Sequence, residues 1–154
     1  MRFGRAKVLA HPLLWLAAMK NFSSLVGFAL WAVACGGPLQ YQVPSSAKAP
    51  GADAKIVADV VEEQGQTRLE MEVTNLAPPS RVNQNAKVFV AWYRKGPSAI
   101  WSRIGGLKYD EDDREGTLTG SVPETAFDLS VSAEATEAPA SPSADVVLAQ
   151  RVQD

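Results

Sequence analysis

Histidine and cysteine each occur only once in this 154-residue chain, at His11 and Cys35. A single cysteine has no disulfide partner within the chain and cannot supply a thiolate cluster. Because His11 lies in the N-terminal segment that we expect to be removed, the mature protein is expected to contain no imidazole. This inventory excludes a Ser-His-Asp triad, a blue-copper site and a zinc site of the usual Cys/His type.

Signs of cofactor chemistry are also lacking. No glycine-rich loop lies between a strand and a helix, the position in which such a loop cradles phosphate groups. Nothing in the pattern places Glu70 or Glu72 opposite a second carboxylate across a cleft, as a glycosidase requires. We therefore expect a protein without a cofactor and without enzymatic activity.

Basic residues are scarce after residue 34. Four of the fifteen basic residues and none of the seventeen acidic ones lie in residues 1–34. Removal of that segment would leave 11 basic and 17 acidic residues, a formal charge of −6. Nucleic-acid binding needs clustered Lys and Arg to displace counterions from phosphate, so the mature chain is not expected to bind nucleic acid.

The N-terminus carries the pattern of a targeting signal. Lys20 precedes an apolar run at residues 22–33, which is too short to span a bilayer and suits a signal-peptide core. The sequence Ala-Val-Ala-Cys-Gly at residues 32–36 resembles the lipobox of bacterial lipoproteins, with Ala32 where leucine is usual. The resemblance implies that residues 1–34 are a signal peptide and that Cys35 is lipidated, which attaches the protein to a membrane.

Two alternatives stay open for this segment. An ordinary secretory signal or an uncleaved anchor would also fit, because residues 13–33 are long enough to cross a bilayer but for Lys20, Asn21 and two serines. A compact signal peptide could also start at Met19, in which case residues 1–18 are a mis-called start. N-terminal sequencing of the unprocessed form distinguishes the two starts.

Residues 35–53 are rich in Pro, Ser, Ala and Gly. This composition buries too little apolar surface to offset the entropy of ordering, so we predict a flexible, lipid-anchored linker of up to roughly 60 Å at about 3.3 Å per residue. Lipobox-type proteins retained in the inner membrane favour Asp at the position of Gly36. In a cell with two membranes, the resemblance therefore implies the outer one.

From residue 54 onward the hydrophobic period is two, as in half-buried strands. The clearest strand places Leu69, Met71 and Val73 on one face and charged residues on the other. Trp92 lies in a run that is apolar on both faces and is the expected core anchor. Seven strands are predicted, at residues 55–61, 68–74, 87–94, 100–109, 117–122, 127–133 and 145–152. A break in the fourth of them at Gly105 and Gly106 is the alternative.

Short strands separated by turn sequences are typical of an immunoglobulin-like or fibronectin-like β-sandwich. We therefore predict one all-β domain at residues 54–154. Three segments of it resemble the extracytoplasmic C-terminal domain of anti-sigma-K-type regulators, at residues 88–93, 104–107 and 127–134. The resemblance implies a sensing or binding role. Sigma-factor sequestration is not carried over, because no sigma-binding domain precedes the apolar run.

The densest run of charge lies at residues 110–116. Oxygen ligands as close together as those of Asp110, Asp112 and Asp113 are candidate ligands for calcium. Their spacing does not match an EF-hand, and the alternative is a solvated hairpin loop whose charges protect a strand edge.

Aromatic residues cluster between positions 92 and 109. Aromatic faces bind carbohydrate and peptide, although core packing is their other common use. Trp101, which stands beside the polar residues Ser102 and Arg103, and Tyr109 are the candidate contact residues.

Anchor, linker and sandwich together favour a non-catalytic cell-envelope lipoprotein that binds another envelope protein or a wall polymer. The alternative is a sensory or regulatory domain of the anti-sigma type. Both functions place the domain outside the cytoplasm.

Overall fold

Alternating side chains build nine strands in this protein, whose computed structural model describes residues 37–153. The strands are β1 (Leu39–Pro44), β2 (Asp53–Val61), β3 (Gln66–Thr74), β4 (Val88–Arg94), β5 (Ser102–Gly106), β6 (Lys108–Asp110), β7 (Glu115–Val122), β8 (Phe127–Glu134) and β9 (Val146–Val152). A 3₁₀ turn at Glu62–Gln64 and a one-turn helix, α1, at Pro79–Val82 complete the elements. No helix in this range is long and apolar enough to cross a bilayer. The predictions for residues 1–34 and Cys35 lie outside the described residues.

The strands form two antiparallel sheets that face each other. The first sheet has the order β1-β2-β3-β7-β6 and the second β5-β4-β8-β9. With β1 set aside, this is the order of an immunoglobulin-like sandwich, in which strands A, B, E and D face strands C′, C, F and G. The prediction of an all-β sandwich is confirmed.

The core lies between the sheets and follows the predicted alternation. On β3, Leu69, Met71 and Val73 are at most 3% exposed, while Glu70 and Glu72 face solvent. A strand with one face on the core and one in water shows this period of two. The inward residues of β8 are Phe127, Leu129, Val131 and Ala133, all of them buried.

The linker prediction for residues 35–53 is wrong from Leu39 onward. β1 pairs along its whole length with β2, and Val43 is 5% exposed. The turn that follows is fixed by Ser46, whose backbone N–H donates to the carbonyl of Val147 at 2.7 Å, and by Ala49, which is 1% exposed. Composition gave the wrong prediction because the apolar residues of β1 alternate with Gln and Pro. The segment as a whole therefore has low hydrophobicity, although its apolar residues have the period of a strand.

The strand count also differs from the predicted seven. β1 is one addition, and the predicted strand at residues 100–109, for which a break at residues 105–106 was the alternative, is two strands, β5 and β6, that lie in different sheets. The chain crosses between the sheets at Leu107, whose N–H donates to the carbonyl of Phe89 at 2.8 Å. β5 pairs with β4 of the second sheet and β6 with β7 of the first, so the pairing of this segment is interrupted at Leu107.

Trp92 is buried, but it is not an anchor of the core between the sheets. Phe89 and Ala91 of β4 point into that core, so Val90 and Trp92 project from the opposite, outer face of the second sheet. They are nevertheless 0% and 1% exposed. The residues that follow β8 cover this face.

The two ends of the sandwich differ in what they carry. Tyr41 near the start of β1 and Gln153 after β9 are joined by hydrogen bonds at 3.1 and 3.2 Å, so the chain enters and leaves at the same end. We call this end the entry pole; it holds the loops at residues 62–65, 95–101 and 123–126. The opposite pole holds the loops at residues 45–52, 75–87, 111–114 and 135–145.

Candidate functional site

The outer face of the second sheet holds an open pocket of about 400 Å³. Trp101 lies on one side of it and Ser130 of β8 forms part of its lining. The rest of the lining comes from residues 141–144 and Val146, which belong to the β8–β9 connection and the start of β9. We call residues 135–145 the strap, because they lie against this face of the sheet.

A buried polar network attaches the strap to the sheet. Trp92 Nε1 donates to Ser132 Oγ at 2.9 Å, and Ser132 Oγ donates in turn to the carboxylate of Glu134. The same carboxylate accepts the backbone N–H of Ser143 at 2.7 Å. Glu134 is 6% exposed, so its carboxyl group is hydrogen-bonded to these donors rather than to bulk water.

Further hydrogen bonds hold both ends of the strap. Ser143 Oγ donates to the carbonyl of Ala133 at 2.9 Å, and the Arg103 guanidinium donates to the carbonyl of Glu137 at 3.3 Å. At the end of the strap, Asp145 accepts hydrogen bonds from Asn83 at 2.6 Å and from Lys48 at 2.9 Å. These two partners lower the pKa of Asp145. The strap is therefore an ordered part of the domain, although its Pro, Ser and Ala composition is that of a loop.

Charged residues fix the position of Trp101. The guanidinium carbon of Arg94 lies 4.6 Å from the centroid of the indole, a cation–π contact. Arg94 Nε lies 2.9 Å from Oδ2 of Asp128, and Arg151 Nη1 lies 2.9 Å from Oδ1 of the same carboxylate. Burial acts to raise the pKa of Asp128, but the hydrogen bonds and charges of the two arginines outweigh it and hold the pKa below its ordinary value.

The loop between β4 and β5 presents an apolar tip next to Trp101. Arg94 Nη1 donates to the carbonyl of Pro97 at 3.0 Å, and the N–H of Ala99 donates to the carbonyl of Gly96 at 2.9 Å. Ile100 follows this turn and is 89% exposed, the one large hydrophobic side chain that is exposed among residues 37–153.

The chemistry of the pocket lining suits binding. Its side chains are an indole, the hydroxyls of Ser130, Ser141 and Ser143, a proline ring and small aliphatic groups. An aromatic side chain offers a flat apolar face, and hydroxyls can both donate and accept hydrogen bonds. Such a surface fits a neutral ligand that carries its own hydroxyl groups or apolar edges.

Tyr109, the second predicted contact residue, lies elsewhere. It belongs to β6 in the first sheet, its ring packs edge-on against Phe89 at 5.5 Å, and its hydroxyl donates to the carbonyl of Leu76 at 2.8 Å. Burial and the nearby charge of Glu111 raise the pKa of Tyr109. The structure therefore does not bring Trp101 and Tyr109 together, and the hydroxyl of Tyr109 has an internal structural partner.

The predicted calcium ligands do not form a cluster. Asp110 Oδ1 accepts the backbone N–H groups of Asp112 and Asp113 at 3.0 and 3.2 Å, which closes the turn between β6 and β7. In the described part of the chain, no group of three or more His, Cys, Asp or Glu side chains is arranged to hold a metal ion. The solvated hairpin loop, the alternative interpretation, matches this geometry.

The strap residues of the pocket were not among the predicted site residues. Residues 135–145 have the Pro and Ser content of an ordinary loop, and no local pattern indicates that a loop folds back onto a sheet. One signal was available, since β4 is apolar on both faces and its second face must also be covered.

Comparison with protein-family models, with curated proteins and with solved structures finds no match to this chain.

Proposed function

We propose that this protein is a lipid-anchored component of the bacterial cell envelope and that its β-sandwich is a non-catalytic binding module. The lipobox-like sequence that ends at Cys35 supports the anchor. The observation that carries the binding role is the open pocket beside Trp101, whose indole is contacted by Arg94 and whose lining includes the exposed Ser141.

A sugar unit of a wall polymer is the ligand that this lining favours. Indole faces pack against the apolar C–H face of a sugar ring, while the hydroxyl of the exposed Ser141 can pair with a sugar hydroxyl. No charged side chain lines the pocket, which favours a neutral sugar over a phosphate or an amine. A segment of another envelope protein is the alternative ligand class.

The anchor is tested by mass spectrometry of the N-terminal peptide from membrane fractions, with wild type beside Cys35→Ser. We expect an acylated fragment that begins at Cys35 in the wild type and none in the variant. An unmodified N-terminus upstream of Cys35, or a soluble form that starts after it, would refute the anchor.

The binding role is tested by co-sedimentation of the purified protein with purified cell-wall polymer. Trp101→Ala removes the indole from the pocket and is expected to abolish most of the binding. Tyr109→Phe, a change at the other candidate aromatic, is the matched control and should bind like the wild type. If the wild type sediments with no wall fraction and crosslinks to no envelope protein, the binding role is wrong.

A further inference from the structure

The distance between the proposed anchor and the folded domain is short. β1 begins at Leu39, so only residues 36–38 separate Cys35 from the sandwich. Four residue steps span at most about 14 Å in a fully extended chain. If Cys35 is acylated, as the proposed function holds, the domain therefore sits against the membrane surface instead of on a long tether.

The direction of β1 decides which end of the domain faces the membrane. Leu39 pairs with Ala58 near the end of β2, and the strand runs from there toward Pro44, which pairs with Asp53. The chain before Leu39 thus continues toward the entry pole, where Tyr41 also contacts Gln153. A lipid on Cys35 places this pole toward the bilayer and the opposite pole away from it.

The entry pole carries the exposed apolar tip. Ile100 is 89% exposed in the β4–β5 loop, and the hydrogen bonds of Arg94 and Ala99 hold that loop in shape. A lone exposed aliphatic side chain is ordinary on a protein surface. Ile100, however, lies at the entry pole, which a lipid on Cys35 would hold against the membrane. The interfacial layer of the lipid bilayer is therefore the partner available to this side chain.

The charges around Ile100 fit the same partner. Arg94, Lys95 and Arg151 lie at this corner of the second sheet, and they pair with Asp128 and Glu124. Cations therefore outnumber the carboxylates that neutralise them, which suits phosphate headgroups.

On the other side of the entry pole, the first sheet carries negative charge. Glu62 and Glu63 lie in the 3₁₀ turn after β2, where both are exposed. Because carboxylates are repelled by anionic headgroups, the domain should tilt so that the β4–β5 loop is the nearer side.

We propose that the mature protein rests on the membrane with its entry pole down and inserts Ile100 into the headgroup region beside its own lipid. The pocket at Trp101 then opens sideways, close to the bilayer, and its ligand is a component within reach of the membrane surface. The opposite pole, with the loop at residues 111–114, points away from the bilayer.

The proposal is tested by site-specific fluorescence of the acylated protein in vesicles that contain anionic phospholipid. The thiol of Cys35 is consumed by the lipid, so Ile100→Cys introduces the only free thiol for a polarity-sensitive label. Asp112→Cys, in the exposed loop at the opposite pole, is the matched control. We expect label 100 to shift its emission to the blue and to be quenched by a headgroup-attached quencher several-fold more strongly than label 112.

The outcomes separate the inference from the function on which it rests. Equal quenching at the two positions in protein whose acylation is verified by mass would overturn the membrane-apposed orientation and leave the lipoprotein function intact. Stronger quenching at position 112 would overturn it as well. Absence of an acyl group on Cys35 would refute the anchor and, with it, the orientation.

Discussion

At the scale of single residues, the least expected side chain is Glu134. It ends a strand with a period of two and projects from the face opposite the core, where the alternation predicts contact with water. The strap covers this face, and the carboxylate becomes the acceptor that joins Ser132 to Ser143. A buried carboxylate that two donors satisfy makes the local structure depend on both of them.

We expect Glu134→Ala to lower the free energy of unfolding by about 1–3 kcal/mol, because Ser132 Oγ and the N–H of Ser143 lose their acceptor. The strap should also loosen and admit water to Trp92. Chemical denaturation followed by tryptophan emission measures the free energy of unfolding. The emission maximum of the folded protein reports water near Trp92, since the chain after residue 34 contains only Trp92 and Trp101. Glu137→Ala, a change at an exposed carboxylate of the strap, is the control. Equal stability of the two variants would contradict the role of Glu134.

Asp128 makes the domain sensitive to acid. Its pKa is lowered in the folded state, so it contributes stability that is fully present above its ordinary pKa of about 4 and is lost as the pH falls through its lower folded value. We expect Asp128→Asn to be less stable than the wild type at pH 7, with the difference shrinking toward pH 3. Thermal melts across this range measure it; a difference that does not change with pH would show that the charge is not the cause.

At the scale of elements, β1 shows that a strand can have the composition of a linker. Its inward side chains and the turn after it complete the side of the sandwich next to β9, and Ser46 Oγ donates to the carbonyl of Val146 across one hundred residues of sequence. Composition describes a segment by itself, whereas β1 is ordered by partners that are distant in the chain.

A chain that begins at Ala54 contains the whole domain as predicted from the sequence but lacks β1. We expect this chain to fold poorly. Removal of β1 uncovers Ile56 and Ala58 and discards buried Val43, at about 1.5–3 kcal/mol for each large side chain that is returned to water. Circular dichroism and denaturation of this chain, beside one that begins at Gly37, measure the loss. A cooperative transition of equal midpoint in both chains would restore the linker interpretation.

The two sheets approach each other closely where β5 passes β7. A Cβ at Gly120 would lie 2.9 Å from Cγ2 of Ile104, whereas one at Gly96 would meet nothing within 4 Å. We expect Gly120→Ala to destabilise the domain by about 1–3 kcal/mol through overpacking, and Gly96→Ala to have little effect. Adding Ile104→Ala to Gly120→Ala should recover part of the loss. Additive losses in the double variant would rule out the clash as the cause.

At the scale of the whole molecule, the sequence predicted the two-layer sandwich but not which segment covers the outer face of its second sheet. Alternation on β3 and β8 correctly identified the faces that meet between the sheets. It could not show that the strap covers Trp92, because alternation reports that a face is apolar and not which segment lies on it. Trp101 was predicted as a candidate contact residue from its polar neighbours, whereas the residues of the strap that share its pocket are brought there only by the path of the chain.

The contact of Tyr41 with Gln153 has a consequence for engineering. The start and the end of the chain within the sandwich are joined here by hydrogen bonds of 3.1 and 3.2 Å, so a short peptide can connect them, and new ends can be opened at the exposed tip near Asp112. The same geometry lets the domain be spliced into a surface loop of a host protein as an insert whose two junctions lie side by side. A tag fused after Gln153, by contrast, emerges beside the N-terminal attachment point, where it would crowd whatever that end is fixed to.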